Sequence, residues 1–257
     1  MIPASETWSL DTSRIGRRVL VFDKLASTNT TAAEFAASSD TDGLVVIADF
    51  QTTGRGQYGR VWQSRPGSSL LMSVVLNPPN ELCRPAILTA FAAVAVAEAI
   101  FTFTGIQSRI KWPNDLLIRG KKVCGILIEQ HGSTAILGLG LNLNQTAEEF
   151  AGAGLPDATS LGMASGGLFE MRAVAGIVIH RLDREYDRLL AGDRIAVEAD
   201  WKWRIGLLGR QVTLELMDGS TVAGRLREME FDRLELEMGD GTIQAIVPET
   251  VRHIVGM

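Results

Sequence analysis

Two cysteines in 257 residues cannot build a disulfide framework, and Cys83 and Cys124 suit a reducing compartment. Histidine is nearly as scarce, and the three present, His131, His180 and His253, show no metal-ligand spacing. Basic charge is not in excess. Against 30 Asp and Glu stand 25 Lys and Arg, a net charge of −5, so no global field draws the chain to nucleic acid or to an anionic membrane. The chain does not open on a basic stretch followed by an apolar run and a small-residue cleavage site, so no signal peptide is expected. The most apolar run, residues 86–103, is interrupted by Thr89, Glu98 and Thr102 and reads as a buried helix rather than a membrane span. These absences lead to the expectation of a soluble cytoplasmic protein that contacts neither nucleic acid nor membrane.

Apolar alternation and β-branched runs predict strands at 19–22, 44–49, 69–76, 110–118, 122–129 and 134–142. Helical spacing predicts a helix from a Ser27 or Thr28 cap to 37, one over 84–103 closed by Gly105, and one over 168–190. A shorter helix should run from Asp193 to 203. Several strands follow one another with no room for a crossover helix. The fold class is therefore α/β of the α+β kind, a mixed and largely antiparallel sheet with flanking helices. The pattern changes after Ile205. Short strands at 211–216, 221–229, 233–237 and 242–247, separated by turn residues, predict a small SH3-like β-barrel over 206–257 beside a larger domain over 1–205. The small module holds five Arg, no Lys and nine acidic residues, which argues against nucleic-acid binding.

Three stretches carry the candidate chemistry. In ADFQTTGRGQYGRVW (48–62), Gly54, Gly56 and Gly59 free the backbone while Arg55 and Arg60 supply fixed charge, a combination that can wrap a phosphate. The loop lacks the Walker spacing, and no helix opens after it as a dinucleotide fingerprint requires. On its own it reads equally as a surface hairpin with solvated arginines. IKWPNDLLIRGKKVCGILIEQ (110–130) is a predicted hairpin that places Lys111, Asn114, Asp115 and Lys122 among large apolar residues. Pro113 marks a strand edge or distortion, and distortions re-aim side chains toward sites. In ILGLGLNLNQ (136–145), Gly138 and Gly140 leave room over a strand, and Asn142 and Asn144 share a face by the period of two. Asn144 and Gln145 read equally as the start of a turn. Cys124 sits among apolar residues and reads as a buried small hydrophobe rather than a reactive thiol.

In this order and at these spacings, QTTGRGQYGRVW, KWPNDLLIRGKKVCGILIE and GLGLNLN resemble the signature of biotin protein ligases, with STN at 27–29 matching the segment upstream. The resemblance spans residues 19–257 and implies a class II synthetase-like catalytic domain followed by the small barrel. It implies that biotin and ATP give biotinyl-5′-AMP and pyrophosphate. Biotin then passes to a lysine of the biotin carboxyl carrier protein of acetyl-CoA carboxylase or a related carboxylase. By match to the family, Ser27, Thr28, Asn29, Gln51, Arg55, Gly56, Gln57, Lys122 and Gly125 take biotin, with hydroxyls and amides paired to its ureido ring. Arg55, Arg60, Trp62, Lys111, Asn114, Lys122 and Asn142 take ATP and the adenylate. Lys122, Arg55, Lys111 and Asp115 are the implied catalytic set, and Asp115 is the implied neighbour of Mg²⁺ and of the incoming amine. The family also leaves a homodimer through the central sheet open.

Two departures stand out. Many relatives carry arginine where this loop has Gln57, so one cation is missing. About twenty residues precede the catalytic domain, too few for the DNA-binding domain of some relatives, so a monofunctional enzyme is expected. The rivals are a lipoate-type ligase, which shares the fold and the adenylation logic, and a non-catalytic biotin-binding regulator. KWPND and the Gly-Arg loop favour biotin.

Overall fold

The computed structural model describes residues 3–37 and 41–256. An eight-stranded sheet is built from β1 (Glu6–Trp8), β2 (Val19–Leu25), β3 (Val45–Gln51), β4 (Ser69–Leu76), β5 (Arg109–Lys111), β6 (Asp115–Ile118), β7 (Lys121–His131) and β8 (Thr134–Asn142), in the order β1-β2-β3-β4-β8-β7-β6-β5. Only β2 and β3 run parallel, joined by α1 (Thr28–Ala36) as the crossover; every other neighbouring pair is antiparallel. The later helices are α2 (Pro85–Thr104), α3 (Ala147–Gly152), α4 (Leu161–Ser165), α5 (Met171–Leu190) and α6 (Arg194–Ile205).

The two faces of the sheet differ, and the residue period decides how. On β4 and β8, Leu70, Met72, Val74 and Leu76 with Leu137, Leu139 and Leu141 belong to the main core, which is closed by α2 and α5. The alternate positions face α1. There Val75 and Ile136 join a smaller cluster with Leu20, Phe22, Ala32 and Val46. Further along the same face come Ser73, Gly138, Gly140 and Asn142, residues too small or polar to continue that cluster, with Leu71 among them. The core is thus interrupted on one face only.

The apolar run at 86–103 is α2. It has Pro85 in its first turn and Gly105 in the left-handed conformation (φ 66) at its end, the asymmetry expected at helix termini. Its length and composition would let it cross a membrane, but 72% of its most apolar window is buried against the rest of the protein. Pro113, which has no N–H to give a ladder, splits the expected strand 110–118 into β5 and β6; the Trp112–Pro113 peptide is cis. In the larger domain three short elements, β1, α3 and α4, were not predicted.

The chain after Gly206 forms β9 (Gln211–Leu216), β10 (Thr221–Met229), β11 (Leu234–Glu237), β12 (Ile243–Ile246) and β13 (Val251–Gly256). They pair antiparallel in the order β12-β11-β10-β9-β13. Four of the five lie on the expected strands, and β13 had no predicted range; β12 and β13 are the outer pair. This sheet shares one apolar core with the larger domain, through Trp112 against Trp201 at 5.8 Å and Trp201 against Phe231 at 5.5 Å.

One buried carboxylate ties the N-terminal segment to this frame. Asp183 of α5 accepts from the backbone N–H groups of Ser13, Arg14 and Ile15 at 2.7, 2.8 and 2.8 Å and is 6% exposed. Removing it leaves three donors unpaired at a site closed to water. Asp183→Ala is expected to lower the unfolding free energy by about 3 kcal/mol in a denaturant titration. A loss below about 1 kcal/mol would mean that water replaces the carboxylate freely.

Candidate functional site

The interrupted face of the sheet is the floor of a cavity of about 290 Å³, and every expected site residue except Lys111 lines it. One end is polar and already organised. The Thr28 backbone N–H and hydroxyl both lie on Gln51 Oε1, at 2.6 and 3.0 Å. Ser27 occupies the N-cap position of α1 without a side-chain cap bond, so its hydroxyl is not spent on the helix. Asn29 Nδ2 donates to Glu129 Oε2 at 2.7 Å. Ser73 Oγ is 2.6 Å from Asn29 Oδ1 and 2.7 Å from Thr28 Oγ1. Buried polar groups joined this way hold one another's rotamers and present the remaining donors and acceptors in fixed directions.

The glycines on β7 and β8 do more than leave space. A Cβ on Gly138 would lie 2.2 Å from Asn29 Oδ1, and one on Gly140 would lie 2.5 Å from Trp62 Cε2. Gly125 and Gly140 are directly opposite in the ladder. The Trp62 ring lies over this glycine pair with its Nε1 buried and without a hydrogen-bond partner. The room expected over the strand is therefore occupied by the protein's own Asn29 amide and Trp62 ring.

The other end carries charge, and a strand irregularity places it there. By the period of two, Lys122 would share the core-facing side of Cys124 and oppose Gly125. The β6–β7 register shifts by one residue, however, with Leu116 opposite Cys124 and Leu117 opposite Lys122. Such a bulge turns the following side chain to the other face, so Lys122 Nζ lies beside Gly125. There it is 2.6 Å from Asp115 Oδ1 and 5.7 Å from the centre of the Trp62 ring. The pair is close in distance but outside hydrogen-bond angles, because Asp115 Oδ1 remains buried without a hydrogen bond.

Backbone pairing extends the wall. Lys122 N donates to Asp157 O and Thr159 N to Lys122 O, both at 2.8 Å. Asn142 Nδ2 donates to Thr159 O at 3.0 Å. Asn114 Nδ2 donates to Ile126 O at 2.6 Å, fixing the start of β6 against β7. Asn144, by contrast, is bound to the backbone of Phe169 on both sides of its amide, at 2.8 and 2.9 Å, and serves the turn. Burial pushes the Cys124 thiol up from its ordinary pKa, so it stays protonated and does not act as a nucleophile.

Above the cavity, 54–62 folds back as a narrow flap. Trp62 N donates to Gly54 O at 3.0 Å and Gly56 N to Arg60 O at 2.7 Å. Arg55 Nη2 is 3.0 Å from Glu129 Oε2. Glu129 thus receives both Asn29 from the polar end and Arg55 from the flap. Lys111 stands apart, on the exposed side of β5 opposite Asp115 in the register.

Glu129 and Ser73 were not anticipated. Each lies on a predicted strand, and only the register that sets Ser73 opposite Gly138 shows that it reaches α1. Phe150, Leu155 and Ala158 also line the cavity. Phe150 lies on α3, whose start does have a sequence signal, the capping box of Thr146 and Glu149; Leu155 and Ala158 follow that helix.

The match to known proteins agrees with this geometry. Residues 21–144 match the model of the biotin/lipoate A/B protein ligase family. The bifunctional ligase/repressor BirA of Bacillus spizizenii is 41% identical over 239 residues, covering 91% of this chain and 74% of the relative. A biotin–[acetyl-CoA-carboxylase] ligase of Mycobacterium tuberculosis is 33% identical, covering 86% of this chain and 85% of its own. Among solved structures, the biotin protein ligase from Aquifex aeolicus in complex with biotin and ATP superposes with a TM-score of 0.76 at 27% identity, covering 93% of this chain and 99% of that one. With its Gly-Arg flap, its lysine-carboxylate pair and its glycine floor in place, the chain belongs to the biotin protein ligase family.

Proposed function

We propose that the chain joins biotin to ATP and then transfers the biotinyl group to a lysine of a biotin carboxyl carrier domain. The observation that carries this reading is one cavity with a hydrogen-bonding end at Ser27, Thr28, Asn29 and Gln51, reached by the flap through Arg55 on Glu129, and the ammonium of Lys122 at the other end. Such a site suits a molecule with an uncharged ureido ring at one end and a carboxylate at the other.

In the first step the biotin carboxylate oxygen attacks the α-phosphorus of ATP, the bond to the β-phosphate oxygen breaks, and pyrophosphate leaves. Both reactants are anions, so cations fixed beforehand lower the barrier. Lys122 supplies one between carboxylate and α-phosphate, and Arg55 a second from the flap once it exchanges Glu129 for substrate. Arg60 and Lys111 serve the outer phosphates. Trp62 offers a flat apolar face to adenine, and Asn142 an amide beside it.

In the second step the lysine amine attacks the acyl carbon and AMP leaves with the electron pair of the broken C–O bond. Asp115 orients the amine and receives its proton. The chain needs no nucleophile of its own because the adenylate is already activated.

A magnesium ion fits the donor set in a limited way. Among the described residues no cluster of three His, Cys, Asp or Glu side chains could hold a metal. Asp115 supplies one carboxylate oxygen without a hydrogen bond, which suits Mg²⁺ held mainly by substrate phosphates and water. Bound there, the ion would screen phosphate charge. The division at 205/206 then separates a catalytic domain from a small module that shares its core.

The test is biotin-dependent exchange of labelled pyrophosphate into ATP. Exchange with biotin and none with lipoate is expected. Exchange with lipoate alone would place the chain with the lipoate ligases, and binding of biotin without exchange would make it a regulator.

A further inference from the structure

The flap over the cavity also touches the small C-terminal sheet, at one side chain. Tyr58 is at the flap tip, with φ 57, a left-handed conformation that costs a non-glycine residue free energy unless its surroundings hold it. Its ring receives the Arg252 guanidinium at 5.0 Å and meets the His253 ring edge-on at 6.4 Å and 71°. Its hydroxyl is 3.7 Å from Met217 Sδ.

Neighbouring residues of a regular strand point to opposite faces, so Arg252 and His253 would not ordinarily reach one ring. In β13 they do because the register breaks between Val251 and His253, where Val251 faces Leu216 and His253 faces Glu215. Arg252 is the extra residue of this bulge. Its Nη1 reaches Glu215 at 3.5 Å, while its Nε is buried without a hydrogen bond. The guanidinium is thus held against the ring by the bulge and by one long ion pair to Glu215.

The same bulge holds the cavity wall. Trp112 Nε1, just before Asn114 and Asp115, donates to Val251 O at 2.9 Å. Nearby, Glu249 takes Arg84 in a bidentate pair at 2.8 and 2.9 Å, which fixes the start of β13 to the first turn of α2. Three consecutive residues of β13 therefore brace the wall segment on one side and the flap tip on the other.

We infer that Tyr58 is a positioning residue, and that the small sheet holds the flap over the cavity through it. The functional consequence rests on the proposed adenylation. With the tip seated on Arg252 and His253, Arg55 and Arg60 stay above the phosphates; with the tip released, substrates bind an open flap and must order it themselves.

Tyr58→Ala and Tyr58→Phe in the full chain test this, with Arg252→Ala and the double variant completing a cycle. Two trypsin sites, after Arg55 and after Arg60, flank the tip. In the ligand-free protein Tyr58→Ala is expected to speed flap cleavage about ten-fold, the size of losing a partly exposed cation–π contact and an aromatic pair together. Tyr58→Phe, which keeps the ring, stays at the wild-type rate. Arg252→Ala reproduces much of the effect, and the double variant adds little to Tyr58→Ala, because the two residues share one contact. In pyrophosphate exchange, KM for ATP rises about ten-fold in Tyr58→Ala while kcat stays within about two-fold. Cleavage of Tyr58→Ala at the wild-type rate would overturn the inference, as would fully additive effects of the two alanine variants. The proteolysis needs no turnover, so a wild-type chain that fails to exchange pyrophosphate would sink the proposed activity and leave the docking to be judged alone.

Discussion

Lys122→Ala is expected to give a folded protein whose biotin-dependent pyrophosphate exchange has fallen by about 10³-fold or more, at the upper end for removing one preorganised charge from a reacting anion. The side chain is about one-third exposed, and the bulge that aims it is formed by the backbone, so the fold does not depend on it. Its removal has two consequences. The carboxylate and the α-phosphate lose the cation between them, and Asp115, 2.6 Å away, is left as an uncompensated negative charge at the place where both anions must meet. Lys122→Arg makes the argument sharper. It restores charge but not the compact ammonium beside Gly125, and is expected to recover only a small part of the rate. If exchange in Lys122→Ala stayed within about ten-fold of wild type, Arg55 and Arg60 would be the principal cations, and the lysine-centred reading of the first step would fall.

The second large effect belongs to a residue with no side chain. Gly138→Ala puts a methyl group 2.2 Å from Asn29 Oδ1 and 2.9 Å from Asn29 Cγ, distances no contact sustains. Gly138 is in the centre of the sheet, paired to Ser73 on one side and Leu127 on the other, so the strand cannot withdraw. Asn29 has to move instead, and it leaves both Ser73 and Glu129. Losing two hydrogen bonds that hold a buried recognition group is expected to weaken biotin binding about 100-fold by calorimetry. Far-UV circular dichroism should stay at the wild-type level. An affinity within about five-fold of wild type would show that Asn29 does not face the ligand. Asn29→Ala in the Gly138→Ala background separates the causes, because the clash disappears while the lost hydrogen bonds do not return.

Much of the scaffold was legible in the chain because its signals are local. Strands 69–76 and 134–142 were predicted to the residue, since both are largely apolar runs bounded by turn residues. The long helix carries its own start at Arg84–Pro85 and its stop at Gly105. The site residues were legible for a different reason, through the resemblance carried by three motifs, and the cavity that unites them joins segments far apart in the chain, such as those of Ser27 and Asn142. What stayed hidden depends on register. Counting by twos along β7 puts Lys122 on the core side, and only the one-residue shift near Leu117 returns it to the cavity. Glu129 reads as a wet residue near a strand end until the flap and α1 are both seen to reach it. Short elements such as α4 fall below the length at which periodicity is visible, and Pro113 announced a distortion without saying that the strand would divide there.

The row of rings formed by Trp112, Trp201 and Phe231 has a consequence for how this protein can be handled and how it can evolve. Two of the rings come from the larger domain and the third from the small sheet, so each half supplies packing surface that the other lacks. Trp201 is 2% exposed and Trp112 6%. A polypeptide ending at α6 would turn both indoles toward water, forfeiting on the order of 2–3 kcal/mol for each if its exposure became complete. Recombination that exchanges the terminal module for one without an aromatic at position 231 would meet the same cost. The two halves are therefore expected to melt as one body, in a single calorimetric transition.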